Sequence, residues 1–484
     1  MSKDNELIIH RQYLALLIVM FFTLILCIPL SAIINTDIIA LFIFILFTLV
    51  FVRKNFYTVP KYIAVYVYTI IFLIGVFICE NFNFYLRELD VYSGHYGSFP
   101  LAILYSLILI SSLSYYDKKI SKRMTYNYEN IKSKFAIFIA KFIYVFVFAA
   151  GMILFLSVAT KPSFKFGIDR FQYEQFYLNK YIKFFASYYK YLLPFTILPF
   201  ILKEKKPKTE IIKILITLSP YILFKVWVGN KFGAIFDILI LFFPIIIFYI
   251  GNVKKNKNVK TKRDLIIITK ASENRKLFKS IGIAFVFLVF ILSVFYISRG
   301  KDASSSIIDR LSQQGQLWWK IYSNEEIKGQ HIYELNDELK PLIEYKKMDI
   351  SDYNFGVYKI MRKTTPINIY RAKIATGARY SSQGIDIAYY YFGYVGIIIH
   401  AVIRAFFTVL IINTYIKCFF SGRFIETIIM GRILIISNSI FTQGDLFNLT
   451  KPEFLIMIAI LIIMKLLHKK YSPTFTHEVK SYEK

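Results

Sequence analysis

Cysteine is scarce. The chain has three, Cys27, Cys79 and Cys418, in 484 residues. All three fall in or at the ends of apolar runs. That excludes a disulfide framework, and no Cys/His spacing suits a zinc site. Acid is short as well: 31 Asp and Glu stand against 60 Lys and Arg, a formal net charge of +29. No basic soluble domain exists to carry that charge, so it does not point to nucleic acid. Internal repeats and low-complexity segments are missing. The first apolar run, 13–34, lacks a small-residue cleavage site and reads as a retained helix rather than a signal peptide. No cofactor is expected.

Apolar residues are what the chain has in plenty. It is 56% hydrophobic and 18% aromatic, with a mean hydropathy of +0.50, well above soluble domains. Runs of membrane-spanning length recur throughout; about 20 residues at 1.5 Å each cross the hydrocarbon. The expected fold is an all-α polytopic integral membrane protein of about twelve transmembrane helices. The spans are 13–34, 37–52, 62–79, 100–116, 135–158, 184–202, 211–226, 233–250, 280–297, 388–415, 424–441 and 452–468. A β-barrel would instead show weak alternating segments of about ten residues.

Charge sets the orientation. With a cytoplasmic N-terminus, the inside segments carry 33 Lys and Arg and the short outside loops carry 8. That asymmetry obeys the positive-inside rule and puts both termini in the cytoplasm. The basic loop from Lys254 to Lys276 reads as a solvated topology anchor. The expected organisation is a bundle of spans 1–9 (1–297), an extracytoplasmic loop (298–387), spans 10–12 (388–468) and a cytoplasmic tail (469–484). The large loop between spans 9 and 10 is too long for a connector. It reads as a partly helical cap. In the outside segment 159–183, aromatics interleave with charges, as in an interfacial helix; a lipid- or sugar-contacting surface is the alternative.

Several charges lie where a membrane disfavours them: Arg404 in span 10, Arg432 in span 11, Asp237 in span 8, and Lys225 and Lys231 beside the turn before it. Each costs several kcal/mol unless paired or facing a wet cleft. Lys231 sits in "GNKFG", Gly229 to Gly233, where a helix start could seat an anion. The cap opens with "SRGKDASSSIIDRLSQQGQLWW", Ser298 to Trp319. Arg299, Lys301 and Arg310 are its cations. Gln313, Gln314 and Gln316 offer amides for sugar hydroxyls, and Trp318 and Trp319 offer stacking faces. The far end of the loop is basic again, with Arg362, Arg371 and Arg379, followed by Gln383 and Asp386. Gly393 and Gly396 allow close packing of span 10. A solvated surface helix is the plainer reading of the opening stretch. Cations, aromatics and amides at the outer face suit a lipid-linked anionic sugar.

The roughly twelve spans, the "GNKFG" element, the late outer loop and "YYYFGYVGI" (Tyr389 to Ile397) together resemble the bacterial O-antigen polymerases, which share a layout with O-antigen ligases and GT-C glycosyltransferases. Lys231 stands where many members have arginine. The resemblance implies polymerisation of undecaprenyl-pyrophosphate-linked repeat units at the periplasmic face of the inner membrane, by metal-independent glycosyl transfer. It implies pyrophosphate contacts from Lys231, Arg299, Arg310 and Arg379, with Arg371, Arg404 and Arg432 as further candidate cations. Gln313, Gln316, Trp318 and Trp319 would contact sugar. Asp309 and Asp386 are candidate bases, beside Glu325 and the weaker His331. The only match to an early acidic metal motif is Glu88 to Asp90. The partners implied are the lipid-linked saccharide, membrane lipids, a chain-length regulator and a flippase. A flippase or an O-antigen ligase is the alternative function.

Overall fold

A computed structural model describes residues 18–31, 33–55, 58–121, 134–162, 170–202, 207–229, 231–249, 303–327, 329, 331–344, 348–349 and 352–471. The basic loop 254–276, the expected span 280–297 and Arg299 lie outside the described residues.

The described chain is helical apart from one hairpin. In order come α1 (Ile18–Leu30), α2 (Asp37–Lys54), α3 (Thr58–Lys61), α4 (Ile63–Asn81), strands β1 (Tyr85–Leu86) and β2 (Val91–Tyr92), α5 (Ser98–Ser121), α6 (Lys134–Ala159), α7 (Arg170–Tyr177) and α8 (Lys180–Tyr189). A 3-10 turn, Lys190–Ile197, leads into α9 (Leu198–Leu202), then α10 (Pro207–Trp227) and α11 (Lys231–Leu241). The cap holds α12 (Ala303–Ser312), α13 (Gln316–Ser323), α14 (Asn336–Glu344), α15 (Gly356–Thr364) and α16 (Ile367–Ala375). The chain closes with α17 (Ile385–Phe420), α18 (Phe424–Gln443) and α19 (Pro452–Tyr471).

Among the described residues, six helical stretches are long and apolar enough to cross a membrane: α4, α5, α6, the continuous run Lys180–Leu202, α17 and α18. The helices α1 and α2 are apolar but shorter. Helices this apolar on all sides are stable only when surrounded by hydrocarbon or protein. Phe42, Val145 and Ile399 remain 60%, 70% and 50% exposed, as lipid-facing side chains do. The helix α17 packs along α5 and α18, and α10 packs along α6.

Polar residues mark the two ends of the bundle. At one end, Lys61 Nζ lies 2.7 Å from Asp117 Oδ1 and 2.6 Å from Asn413 Oδ1, and the Tyr62 hydroxyl donates to Asp117. At the other end, α4 finishes, α5 begins and the cap docks. There the hairpin pairs Tyr85 with Tyr92. Its turn runs through Asp90 at φ 57°, a left-handed conformation that short polar side chains tolerate.

The cap does not stand off from the bundle. It wedges into α4, where Gly75 and Gly315 allow backbone to meet backbone. A Cβ on Gly315 would lie 2.2 Å from Val76 N, and one on Gly75 would lie 2.4 Å from Leu311 O. The two indoles that follow anchor the wedge: Trp318 Nε1 donates to Ser98 O at 3.1 Å and Trp319 Nε1 to Gly94 O at 2.8 Å.

The 36 residues of α17 are not one rod. Gly393 breaks it at φ 59°, ψ −144°. In a straight helix Gln383 and Arg404 would sit about 30 Å apart, yet Arg404 Nη1 donates to Gln383 O at 2.9 Å. The arm 385–392 therefore folds back beside the arm 394–420. Residues 381–385 dip into the bundle, the short arm climbs to the cap, and the long arm descends. The reversal is possible because Gly384, at φ 77°, lets the chain pass where a Cβ would lie 2.0 Å from Phe441 O.

Candidate functional site

The tip of this re-entrant segment is polar, and it ends inside the bundle. Arg404 is 2% exposed. Its Nη1 donates to Gln383 O at 2.9 Å, Gln383 Oε1 at 3.0 Å and the Tyr105 hydroxyl at 3.0 Å. Gln383 Nε2 in turn donates to Tyr68 O on α4 at 3.3 Å. Phe441 O can only accept, so the 3.0 Å contact puts the His400 proton on Nε2. His400 Nδ1 and Gln383 O, both 3.2 Å from the Tyr105 oxygen, share that hydroxyl's proton. Asp386 is 1% exposed and accepts from the Ser382 hydroxyl at 2.5 Å. Both Arg404 and Asp386 lie within electrostatic reach of Tyr105.

Two atoms of this cluster have no hydrogen-bond partner among the described residues: Arg404 Nη2 and Asp386 Oδ2. Leaving a buried polar group unpaired costs about 1–3 kcal/mol, more when it is charged. Arg404 Nη2 would be satisfied by an anionic oxygen and Asp386 Oδ2 by a hydroxyl, and both residues act on the same tyrosine, Tyr105.

The other expected cations have protein partners or none at this tip. Arg379 Nη1 meets both Asp445 oxygens, at 2.6 and 2.7 Å, and lies over the Tyr358 ring. Ser439 also donates to Asp445. Arg432 pairs with Glu453 and stacks on Tyr188 at 4.6 Å. The Glu453 carboxylate neutralises it. Arg310 is exposed and donates to Gln313 at 2.9 Å, and Gln313 donates to Asp309 at 3.3 Å. These three form a surface triad away from the tip. Arg371 is exposed. Lys231 opens α11, and its side chain lies outside the described residues.

Three of the four residues expected to contact sugar, Gln316, Trp318 and Trp319, are buried, and Gln313 belongs to the surface triad. Trp318 and Trp319 are 1% and 2% exposed, with both indole N–H groups committed to backbone. Neither face is open to a sugar ring; their surface goes into docking the cap. Gln316 donates to Glu88 at 2.5 Å, while Lys373 reaches the same carboxylate at 2.8 Å. The acidic hairpin therefore serves as a strut for the cap. His331 stacks on Tyr390 at 4.4 Å, and Glu325 is exposed.

A charged network holds the cap to the climbing arm. Lys359, its side chain fully buried, contacts Glu334 at 2.6 Å and Asp337 at 2.8 Å. Burial alone would raise Glu334, but bonds from Lys359 and Tyr390 and the charges of Lys359 and Lys363 hold it down at about 2. Burial pushes Glu338 up, although Tyr391 donates to it at 2.6 Å.

Sequence reading named Arg404, Gln383 and Asp386 but missed Tyr105, His400 and Ser382. The i, i+4 spacing of His400 and Arg404 was a usable signal. Tyr105, on a distant helix, gave none. Residues 350–458 match a family of unknown function, DUF6418. That stretch contains Arg379, Ser382, Gln383, Asp386, His400, Arg404 and Asp445. No curated protein sequence and no solved structure matches the chain.

Proposed function

We propose that this protein is a membrane glycosyltransferase that joins polyprenyl-pyrophosphate-linked saccharide units, in the manner of the O-antigen polymerases it resembles. In this reading the chain crosses the bacterial inner membrane about twelve times with both termini in the cytoplasm. The cap and the re-entrant tip then belong to the periplasmic side. The observation that carries the proposal is that Arg404 and Asp386 are both buried and that Nη2 and Oδ2 have no hydrogen-bond partner among the described residues. Both lie at the tip of a re-entrant arm, and irregular backbone at membrane depth is tolerated where protein buries it or a cavity is lined.

The chemistry asks little more. A hydroxyl of one lipid-linked unit attacks the anomeric carbon of the growing chain. The bond from that carbon to the pyrophosphate oxygen breaks, and pyrophosphate leaves with the electron pair. Arg404 Nη2 receives the charge that develops on the leaving oxygen, a role worth about 10²–10³ in rate. Asp386 Oδ2 takes the hydroxyl proton and releases it to solvent, worth about 10²–10⁴. Arg404 is pinned through Nη1 by Gln383 and Tyr105, so its free nitrogen needs no reorganisation.

The test is a gel of surface polysaccharide from a strain lacking the gene, beside its parent. The expected result is a ladder cut to core plus one repeat unit. Loss of every repeat-unit band would assign the protein to transfer across the membrane or to ligation, and an unchanged ladder would remove it from this chemistry.

A further inference from the structure

A second cluster of chemistry lies at the cap end, and it shares no residue with the re-entrant tip. Asp37 opens α2, Glu80 is next to last in α4, and His95 sits on the loop between β2 and α5. His95 Nδ1 is 3.3 Å from Glu80 Oε2 and 3.8 Å from Asp37 Oδ2, and both carboxylate side chains are 0% exposed. One ligand-capable atom from each residue lies within 4.8 Å of the others.

The ring is oriented. His95 Nε2 is 2.9 Å from Ser31 O, a group that only accepts, so Nε2 carries a proton. A neutral His95 then aims its Nδ1 lone pair at two carboxylates. A backbone carbonyl fixing the tautomer this way is the usual support behind a metal-bound imidazole. Glu80 is also held: its Oε2 accepts from Tyr96 N at 2.6 Å and Gly97 N at 3.0 Å, and its Oε1 from Ser98 N at 2.7 Å. Asp37 Oδ2 accepts from Asn81 at 2.8 Å, while Asp37 Oδ1, fully buried, has no partner among the described residues. No Lys or Arg among the described residues pairs with either carboxylate. Two buried carboxylates therefore face each other with only the solvent-exposed His95 imidazole beside them. Such an arrangement is stable when a cation enters it.

We propose that Asp37, Glu80 and His95 bind one divalent first-row metal ion, of the Mn2+ or Zn2+ class that accepts both carboxylate oxygen and imidazole nitrogen. The ion is structural. It ties the loop 93–98 to the ends of α2 and α4. That loop presents Gly94 O and Ser98 O, the two acceptors that hold Trp319 and Trp318. The site thus fastens the platform on which the cap docks, and it does not depend on the substrate proposed above.

The experiment uses the full-length protein in detergent, stripped with chelator and then titrated with MnCl2 or ZnCl2. The expected result is one equivalent of one metal by elemental analysis, with a rise in melting temperature. Asp37→Asn and His95→Gln should each weaken binding by about tenfold or more. Absence of stoichiometric metal and of any thermal shift in the wild-type protein would overturn the proposal. Retention of full affinity by a folded His95→Gln protein would overturn it too. Because the wild-type titration decides on its own, a variant that fails to fold does not rescue the idea.

Discussion

Replacing Gly315 with alanine should undock the cap. The added Cβ would lie 2.2 Å from Val76 N, 2.5 Å from Gly75 C and 2.7 Å from Val76 Cα. Carbon atoms rest about 3.5–4.0 Å apart, so α4 and α13 would have to separate by more than about 1 Å. All three obstructing atoms are backbone, and none can swing aside as a side chain would. Overpacking costs about 1–3 kcal/mol, and rigid neighbours put this site at or above the upper end. Displacement also pulls Trp318 and Trp319 from their carbonyls at 3.1 and 2.8 Å. The assay is thermal unfolding of the purified protein with limited proteolysis of the cap. Gly315→Ala should melt several degrees lower and be cut earlier. Gly94→Ala is the control, because nothing lies within 4 Å of its added Cβ. A Gly315→Ala protein that melts and resists protease like the wild type would refute the wedge.

Acid should loosen the cap through Glu334, whose carboxyl is held at about 2 against an ordinary 4.5. A depressed carboxylate stabilises fully above its ordinary value and loses that contribution as pH falls towards its folded value. Cap protection in hydrogen exchange should therefore decline between about pH 4.5 and 2, and Glu334→Gln should flatten that decline. At the opposite end of the bundle, Lys61→Met should destabilise by about 3–5 kcal/mol, because it strands the buried Asp117 charge. Lys61→Met with Asp117→Leu should recover much of the loss, which a double-mutant cycle of melting curves would show.

Hydropathy made the helical membrane character legible, because hydrocarbon forces each spanning segment to satisfy its own backbone. The re-entrant arm was not legible. Residues 388–415 read as one apolar span, and the reversal at Gly393 comes from a backbone conformation that composition does not encode. The wedge of Gly315 against Gly75 joins segments some 240 residues apart and leaves no local periodicity. Trp318 and Trp319 read as sugar platforms because aromatics beside amides at an outer face suit both roles; only their burial separates them. Charges fared better. Arg404 and Arg432 needed polar partners at membrane depth; Arg404 has uncharged carbonyl, amide and hydroxyl oxygens, and Arg432 has the Glu453 carboxylate. The Asp37, Glu80 and His95 cluster went unseen because its members come from three separate segments, none with a metal-binding spacing.

The most direct test of the proposed chemistry is binding of polyprenyl pyrophosphate to purified wild-type and Arg404→Lys protein, each normalised to folded material. Lysine keeps the charge but cannot serve Gln383, Tyr105 and an anion from one fork of donors. The expected result is saturable binding to the wild type that falls by at least about tenfold in Arg404→Lys, one hydrogen bond to a charged group being worth about 1.5–3 kcal/mol. Equal affinity in the two folded proteins would show that Arg404 serves the bundle alone, and the assignment of the re-entrant tip as the substrate site would fall.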